Sequence, residues 1–312
     1  MPNLQKIESL LITGSNGFVG RSIVEYLGDL NDSLLPKEVT LVTRQGLTYE
    51  IPESLIPRTR VIEQDLLVDW QFETEPSHII NLAADGSKSP YSKESSDSYV
   101  RLNQNLVNWV SKKDKAISIF HASSGACFGH KPLTPGIQPS NAKEIFTEAR
   151  IRVEENLMKI SRQEGIQVII GRLFSFTGIN LLSKNQYAVT SFIKSALSEN
   201  KIRVLGDPFT LRSYLHQDAM SEWILKGLVS PEPNPCFQIG SNDAVTIKQL
   251  AEYIAQETDA GIEYSKAPLS GDIYIPDNSE TRVKLGVDEG KAWKSAVLEM
   301  VAEVRLLNNV TE

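Results

Sequence analysis

The stretch SLLITGSNGFVGRSIVEYL, residues 9–27, limits the fold of this chain more than any other segment. An apolar run stops at a glycine-rich turn, and apolar residues return at helical spacing through Ile23, Val24 and Leu27. That pattern calls for a strand, a tight turn and a helix. Gly14, Gly17 and Gly20 cross the turn in a GxxGxxG spacing. The first two glycines permit a tight turn and a close approach of backbone to pyrophosphate, and the third lets the helix pack on the strand. The helix N-terminus adds amide donors and a favourable dipole. A dinucleotide-binding turn is expected here, with Asn16, Phe18 and Val19 beside the glycines.

The alternation continues downstream. EVTLVTR, RVIEQDL, HIINLAA and ISIFHASSG read as strands, a helix is expected around Tyr99 to Val110, and IQVIIGRLF reads as a sixth strand. Strands that alternate with helices imply parallel βαβ units, so the expected fold class is α/β with a doubly wound parallel Rossmann sheet. Beyond that strand, AVTSFIKSALSEN, DAMSEWILKGL and TIKQLAEYIAQE read as helices, KIRVLG and CFQIG as short strands, and SPEPNPC as a loop. The expected division is an NAD(P)-binding domain over residues 1–174, with about 213–245 returning to it, and a smaller C-terminal substrate-binding lobe over 175–212 and 246–312.

Composition narrows the function classes. With 312 residues, 41% apolar, 23% charged and a formal charge of −7, the chain has an ordinary globular balance. This argues against a broad nucleic-acid or membrane surface while leaving room for a local basic pocket. Cys127 and Cys236 are far apart and read as free thiols of a reducing compartment. The four histidines, His78, His121, His130 and His216, lack metal-ligand spacing, so no metal is expected. The opening MPNLQKIESLLITG has no signal-peptide pattern and no apolar run reaches membrane-spanning length, which points to the cytoplasm.

An acidic residue at the end of the second strand would favour NAD through the ribose 2′-hydroxyl, but that end reads Thr43, Arg44. An arginine can neutralise a 2′-phosphate and stack on adenine, so NADP is slightly favoured over NAD.

These motifs together resemble the extended short-chain dehydrogenase/reductases, in particular the NAD-dependent epimerase/dehydratase branch acting on nucleotide sugars. TGSNGFVG is similar to the family's TGxxGFxG turn. EQDL resembles GDL, which would place Asp65 and Leu66 beside adenine. NLAA resembles HLAA, which would place Leu82, Ala83 and Ala84 along the cofactor, and Asn103 matches the asparagine of the NVxGT-like helix. HASSGACFG resembles SSxxVYG, with Ser124 in the catalytic serine position. GRLFSFTG aligns Arg172 and puts Ser175 in the usual asparagine place, and RSYLHQDAM aligns Arg212 with an arginine that holds substrate diphosphate. The resemblance also implies a homodimer through the helices near Tyr99 to Val110 and Phe146 to Ile160.

The chain departs from the family at the catalytic Tyr-x-x-x-Lys. Aligned on VEENL, these positions are Phe146 and Arg150, in a stretch that reads as an amphipathic helix with Ile145, Ile151 and Leu157 among its apolar residues. Phenylalanine has no proton to give. Arginine stays cationic and can reach ribose hydroxyls, but its high pKa makes it a poor proton shuttle. Candidates to substitute are Lys143, one turn before Phe146, the nearby Glu144 and Glu148, which point elsewhere on the helix, His121 and Ser123 on one strand face, and the loop residues Tyr91 and Asp85, the latter also a candidate substrate contact. The segment SSGAC also lacks the Asp-Glu pair of a sugar 4,6-dehydratase, and Leu269 replaces an arginine.

Two classes of function stay open. One is an epimerase- or reductase-type oxidoreductase of a nucleotide-activated sugar, with Ser124 polarising the sugar oxygen and Arg150 fixing the cofactor. The other is an NAD(P)-binding protein that keeps the fold without the chemistry and serves a regulatory or structural role.

Overall fold

The apolar run at residues 10–12 becomes the middle of the first strand, with Leu10, Leu11 and Ile12 fully buried. The computed structural model describes residues 4, 6–84, 91–113, 117–128, 141–266, 268, 269 and 271–310, the side chains at 141–143 and 309–310 excepted. In chain order the first half contains β1 (Ser9–Thr13), α1 (Phe18–Gly28), β2 (Glu38–Thr43), β3 (Thr59–Glu63), β4 (His78–Asn81), α2 (Lys93–Val110), β5 (Ser118–Ser124), α3 (Asn141–Glu164) and β6 (Gln167–Leu173). There follow β7 (Phe176–Thr177), α4 (Ala188–Glu199), β8 (Lys201–Val204), β9 (Leu211–Arg212), β10 (Leu215–His216), α5 (Gln217–Leu228) and β11 (Cys236–Ile239). The last elements are β12 (Val245–Thr246), α6 (Ile247–Thr258), β13 (Gly261–Tyr264), β14 (Ile273–Tyr274), α7 (Ser279–Leu285) and α8 (Trp293–Val310).

Among the described residues, seven strands form one sheet in the order β11, β6, β5, β4, β1, β2, β3, with every neighbouring pair parallel. This is the expected doubly wound α/β fold. The chain runs outward from β1 through β2 to β3, then crosses back to β4 and runs the other way. Between β1 and β4 it leaves the crevice where doubly wound sheets hold their ligands.

The strand sequences read as nearly continuous apolar runs because both faces of the sheet are covered. Leu10 and Ile12 enter a core with Ile23 and Leu27 of α1 and Trp223 and Ile224 of α5. Leu11 points the other way, into a core with Ile79, Ile119, Leu106 of α2 and Val153 and Leu157 of α3. Each such side chain contributes roughly 1.5–3 kcal/mol by leaving water. α2 starts six residues ahead of the Tyr99 expected from the apolar pattern, since Ser92 caps it by accepting from Ser95 N at 3.1 Å.

A third core joins α4, α6 and α8 through Phe192, Ile193, Leu250, Ile254, Val297 and Met300. Beside it β12, β9 and β14 form a small sheet, and β13 pairs with β8. Leu285 and Val287 come from the stretch assigned to the lobe, yet they pack into the core shared by α1 and α5. No helix among the described residues is long and apolar enough to cross a membrane.

Candidate active site

The turn between β1 and α1 leaves no room for side chains at its glycines. Gly14 has φ +69°, and a Cβ there would lie 3.0 Å from the backbone of Leu82. A Cβ at Gly20 would come within 2.6 Å of Gly14 O and Ser15 Cα. Gly17 N donates to Gly14 O at 2.9 Å, and Gly17 precedes α1 as its N-cap with no side-chain cap. Its first amides therefore keep their donor capacity for an anion. Asn16 fastens the turn to the loop after β2, donating to Gly46 O at 2.7 Å and accepting from Thr48 N at 3.0 Å. Phe18 and Val19 open the helix and pack against the core beneath it.

The neighbouring strand ends are wired to the same turn. Thr13 Oγ1 donates to Asn81 Oδ1 at 2.9 Å and accepts from Leu82 N and Ala83 N at 3.1 and 3.2 Å. Ala84 is exposed. Thr43 is buried at the end of β2, and Arg44 follows it as an exposed residue. Asp65 is exposed and accepts from Leu67 N at 2.9 Å, while Leu66 is buried in the core beside α2. Asn103 is buried, donating to Tyr99 O at 2.8 Å and accepting from Asn81 at 2.7 Å.

At the far side of the crevice, β5 alternates its contacts as a pleated strand must. Ser123 turns toward α3 and donates to Glu154, which also takes a two-pronged ion pair from Arg172 at 2.7 and 3.1 Å. Ser124 turns the opposite way, accepting from Ala126 N at 3.2 Å and lying 3.2 Å from the phenol oxygen of Tyr274. Phe146 and Arg150 do meet on one face of α3, the guanidinium carbon standing 4.8 Å from the Phe146 ring centre. It also stacks 3.5 Å from the centre of the Tyr99 ring. Tyr91 packs edge-on against Phe146 with ring centres 5.5 Å apart.

Burial and charge set the protonation of these groups. His121 has both ring nitrogens engaged, Nε2 by Tyr99 at 2.7 Å and Nδ1 by Asn81 at 3.0 Å. Burial, then the Arg150 cation, holds it down at about 3, so it stays neutral. Burial likewise raises Tyr99 above the usual phenol range and pushes Tyr274 up to about 12. Burial, aided by Glu154, pushes the Cys127 thiol to about 11, and Cys127 therefore carries no thiolate at neutral pH.

The structure thus brings Phe146, Arg150 and Tyr91 together, sets Ser124 against Tyr274, and keeps other candidates away. His121 is buried behind Tyr99, Ser123 is taken by Glu154, and Glu144 and Glu148 are exposed. Asp85 and the side chain of Lys143 lie outside the described residues. Ser175 is half-buried, its carbonyl accepting from Leu215 N at 3.1 Å. Arg212 pairs with the buried Asp272 at 3.1 Å. No group of three or more metal-type ligands occurs among the described residues. Tyr274 and Tyr99 were not foreseen. Tyr99 sits four residues before Asn103 on the same helix face, a spacing that could have revealed it.

A model of the NAD dependent epimerase/dehydratase family matches residues 10–240. UDP-glucuronic acid decarboxylase 1 of Arabidopsis thaliana is 20% identical over 95% of this chain and 69% of its own length. A UDP-glucose 4-epimerase of Thermotoga maritima, solved with UDP-glucose, superposes with a TM-score of 0.75 at 17% identity, covering 96% of this chain and 99% of its own. The Bordetella bronchiseptica enzyme WbmF, solved with NAD+, superposes with a TM-score of 0.76 at 15% identity, covering 99% and 94%. The family match extends from the first strand through the last strand of the main sheet, and the chain belongs to the NAD dependent epimerase/dehydratase family.

Proposed function

We propose that this chain is an NAD(P)-dependent oxidoreductase of the epimerase or reductase type, acting on a nucleotide-activated sugar without a tyrosine at position 146. One observation carries this reading: Gly14 and Gly20 admit no Cβ, at the carboxyl end of β1 beside the strand end that Thr13 wires to it. The cradle suits a pyrophosphate, held by Gly14, Asn16, Gly17, Phe18, Val19 and Gly20. Thr43 and Arg44 would face the adenosine ribose, Asp65 and Leu66 the adenine, and Leu82, Ala83, Ala84, Asn103 and Arg150 the nicotinamide half. When bound, the dinucleotide supplies the hydride acceptor and donor.

The chain's own residues supply orientation and polarity. Ser124 donates to the reacting sugar oxygen, Arg150 holds a fixed positive charge beside it, and as the hydride leaves carbon the sugar hydroxyl proton passes to water. Ser175, Arg212 and Asp85 belong to the sugar-nucleotide side, with Arg212 shared between Asp272 and the diphosphate. Arg44 favours a 2′-phosphate and hence NADP. Residues 1–174 with 213–245 form the dinucleotide half and 175–212 with 246–312 the sugar half, a division supported by the separate core of α4, α6 and α8 and crossed by Leu285 and Val287, which pack into the α1–α5 core. α2 and α3 pair side by side on one face of the sheet, which suits a homodimer through those helices. The free thiols of Cys127 and Cys236 suit a cytoplasmic setting.

A specific observation also supports a second reading, a cofactor-binding protein without turnover: the position-146 ring has no proton, and the cation behind it stacks on two aromatic rings. The test is to measure NAD and NADP binding to the purified protein and turnover of UDP-sugars by it and by Phe146→Tyr. The proposed enzyme binds a dinucleotide and turns over a UDP-sugar without help from the substitution. Turnover only in Phe146→Tyr would establish the second reading, and failure to bind either dinucleotide would remove both. Arg44→Ala is expected to weaken NADP about tenfold while leaving NAD within twofold, as loss of one charge-assisted phosphate contact predicts.

A further inference from the structure

Ser124 and Tyr274 are 150 positions apart in sequence, yet their hydroxyl oxygens lie 3.2 Å apart. The phenol donates its single proton to Leu173 O at 3.2 Å. Its oxygen is then left to accept from Ser124, whose own oxygen accepts from Ala126 N. Tyr274 is firmly placed: β14 pairs with β9 in a register that sets Tyr274 against Arg212. Its ring lies 4.9 Å from that of Phe174, and the Arg212 guanidinium stands 5.6 Å from its centre. Phenylalanine would fill the same space and pack against the same neighbours. What tyrosine adds is a hydroxyl at the carboxyl ends of β5 and β6, beside the one serine that the proposed reaction uses.

Resting on the reading of the chain as a nucleotide-sugar oxidoreductase, we infer that Tyr274, from the C-terminal lobe, is the phenol of the reaction site. With Ser124, it donates a hydrogen bond to the sugar oxygen on which charge develops. Two hydroxyls at this separation can both reach one oxygen at about 2.8 Å. On substrate binding the phenol proton turns from Leu173 O to the sugar oxygen, and Ser124 keeps its bond from Ala126. A phenol is protonated at neutral pH, and burial only strengthens that, so Tyr274 carries the proton a donor of this kind needs. The role is polarisation rather than base catalysis, and it replaces the donor that Phe146 cannot supply.

The test uses the full chain labelled with tyrosine carrying carbon-13 at the ring carbon that bears oxygen. The Tyr274 resonance is identified by its loss in Tyr274→Phe. It is followed on addition of NAD+ with UDP, and of NAD+ with UDP-glucose or UDP-glucuronic acid. The expected result is a shift produced by a UDP-sugar and not by UDP, and a fall in kcat of about 100-fold in Tyr274→Phe with KM within twofold. A UDP-sugar that binds while the resonance stays where UDP leaves it overturns the inference alone. So does a Tyr274→Phe protein that keeps more than half of kcat. If neither NAD+ nor any UDP-sugar binds, the proposed function falls and takes the inference with it.

Discussion

The two ends of the crevice are built on different principles. At the β1–α1 turn the proposed function rests on backbone: no side chain caps α1, and the glycines are fixed by contacts of 2.6 to 3.0 Å that any Cβ would make. At the α3 end the proposed function rests on side chains, and there Arg150 stands against the rings of Tyr99 and Phe146. Backbone geometry tolerates little sequence change because nothing can be substituted for missing space. A side-chain site can be refilled from another element, and β14 brings Tyr274 to Ser124. The proposed dinucleotide cradle is a site of the first kind, and the proposed sugar chemistry belongs to the second.

Substitutions that attack each end should separate these principles. The largest effect is expected from Glu154→Ala at the α3 end, which leaves Arg172 and Ser123 without their shared partner. Because Arg172 is only 21% exposed, the cost should be about 3 kcal/mol, read as a lower urea midpoint at unchanged slope. At the other end, Gly20→Ala forces a methyl against Gly14 O and Ser15 Cα. It should cost about 2 kcal/mol and weaken NAD binding at least tenfold, measured by calorimetry on the folded protein. An unchanged dinucleotide affinity would break the claim that backbone space defines this end.

The smallest effect for a change of one pH unit is a pH dependence from His121, held at about 3 in the folded chain against an ordinary 6.5. The unfolded chain takes up the proton first, so the stability associated with neutral His121 is present above pH 6.5 and is lost as pH falls toward 3. Urea unfolding should show a loss of about 1 kcal/mol per pH unit below that point, and a flatter profile in His121→Gln. His78 is also lowered by burial and contributes in the same direction, but it is unaltered in that variant, so the difference between the two profiles isolates His121.

The sequence discloses local geometry well and distant contacts poorly. The glycine turn needs only eight consecutive residues, each constrained by its neighbours, and the opposite facing of Ser123 and Ser124 follows from strand pleating. The same is true of Phe146 and Arg150, whose contact follows from helical spacing. Capping moved the start of α2 because Ser92 offers a hydroxyl outside the apolar pattern. Tyr274 was hidden for a different reason. Nothing near it in sequence indicates Ser124, and the contact requires β14 to lie beside β9 while Phe174 supports the ring. Arg212 shows the same limitation: its ion pair with Asp272 depends on that strand pairing.

The stack of Arg150 on Tyr99 and Phe146 imposes an order on any attempt to install a tyrosine at 146 and a lysine at 150. A guanidinium is flat and lies along ring faces, whereas an ammonium is a compact, strongly hydrated charge that cannot cover them. Phe146→Tyr keeps both rings and the cation, so it is a small step. Arg150→Lys made first would uncover the Tyr99 ring and weaken the charge that sits over it. A laboratory lineage selected for both residues should therefore acquire tyrosine at 146 before lysine at 150, with the reverse order passing through less stable intermediates.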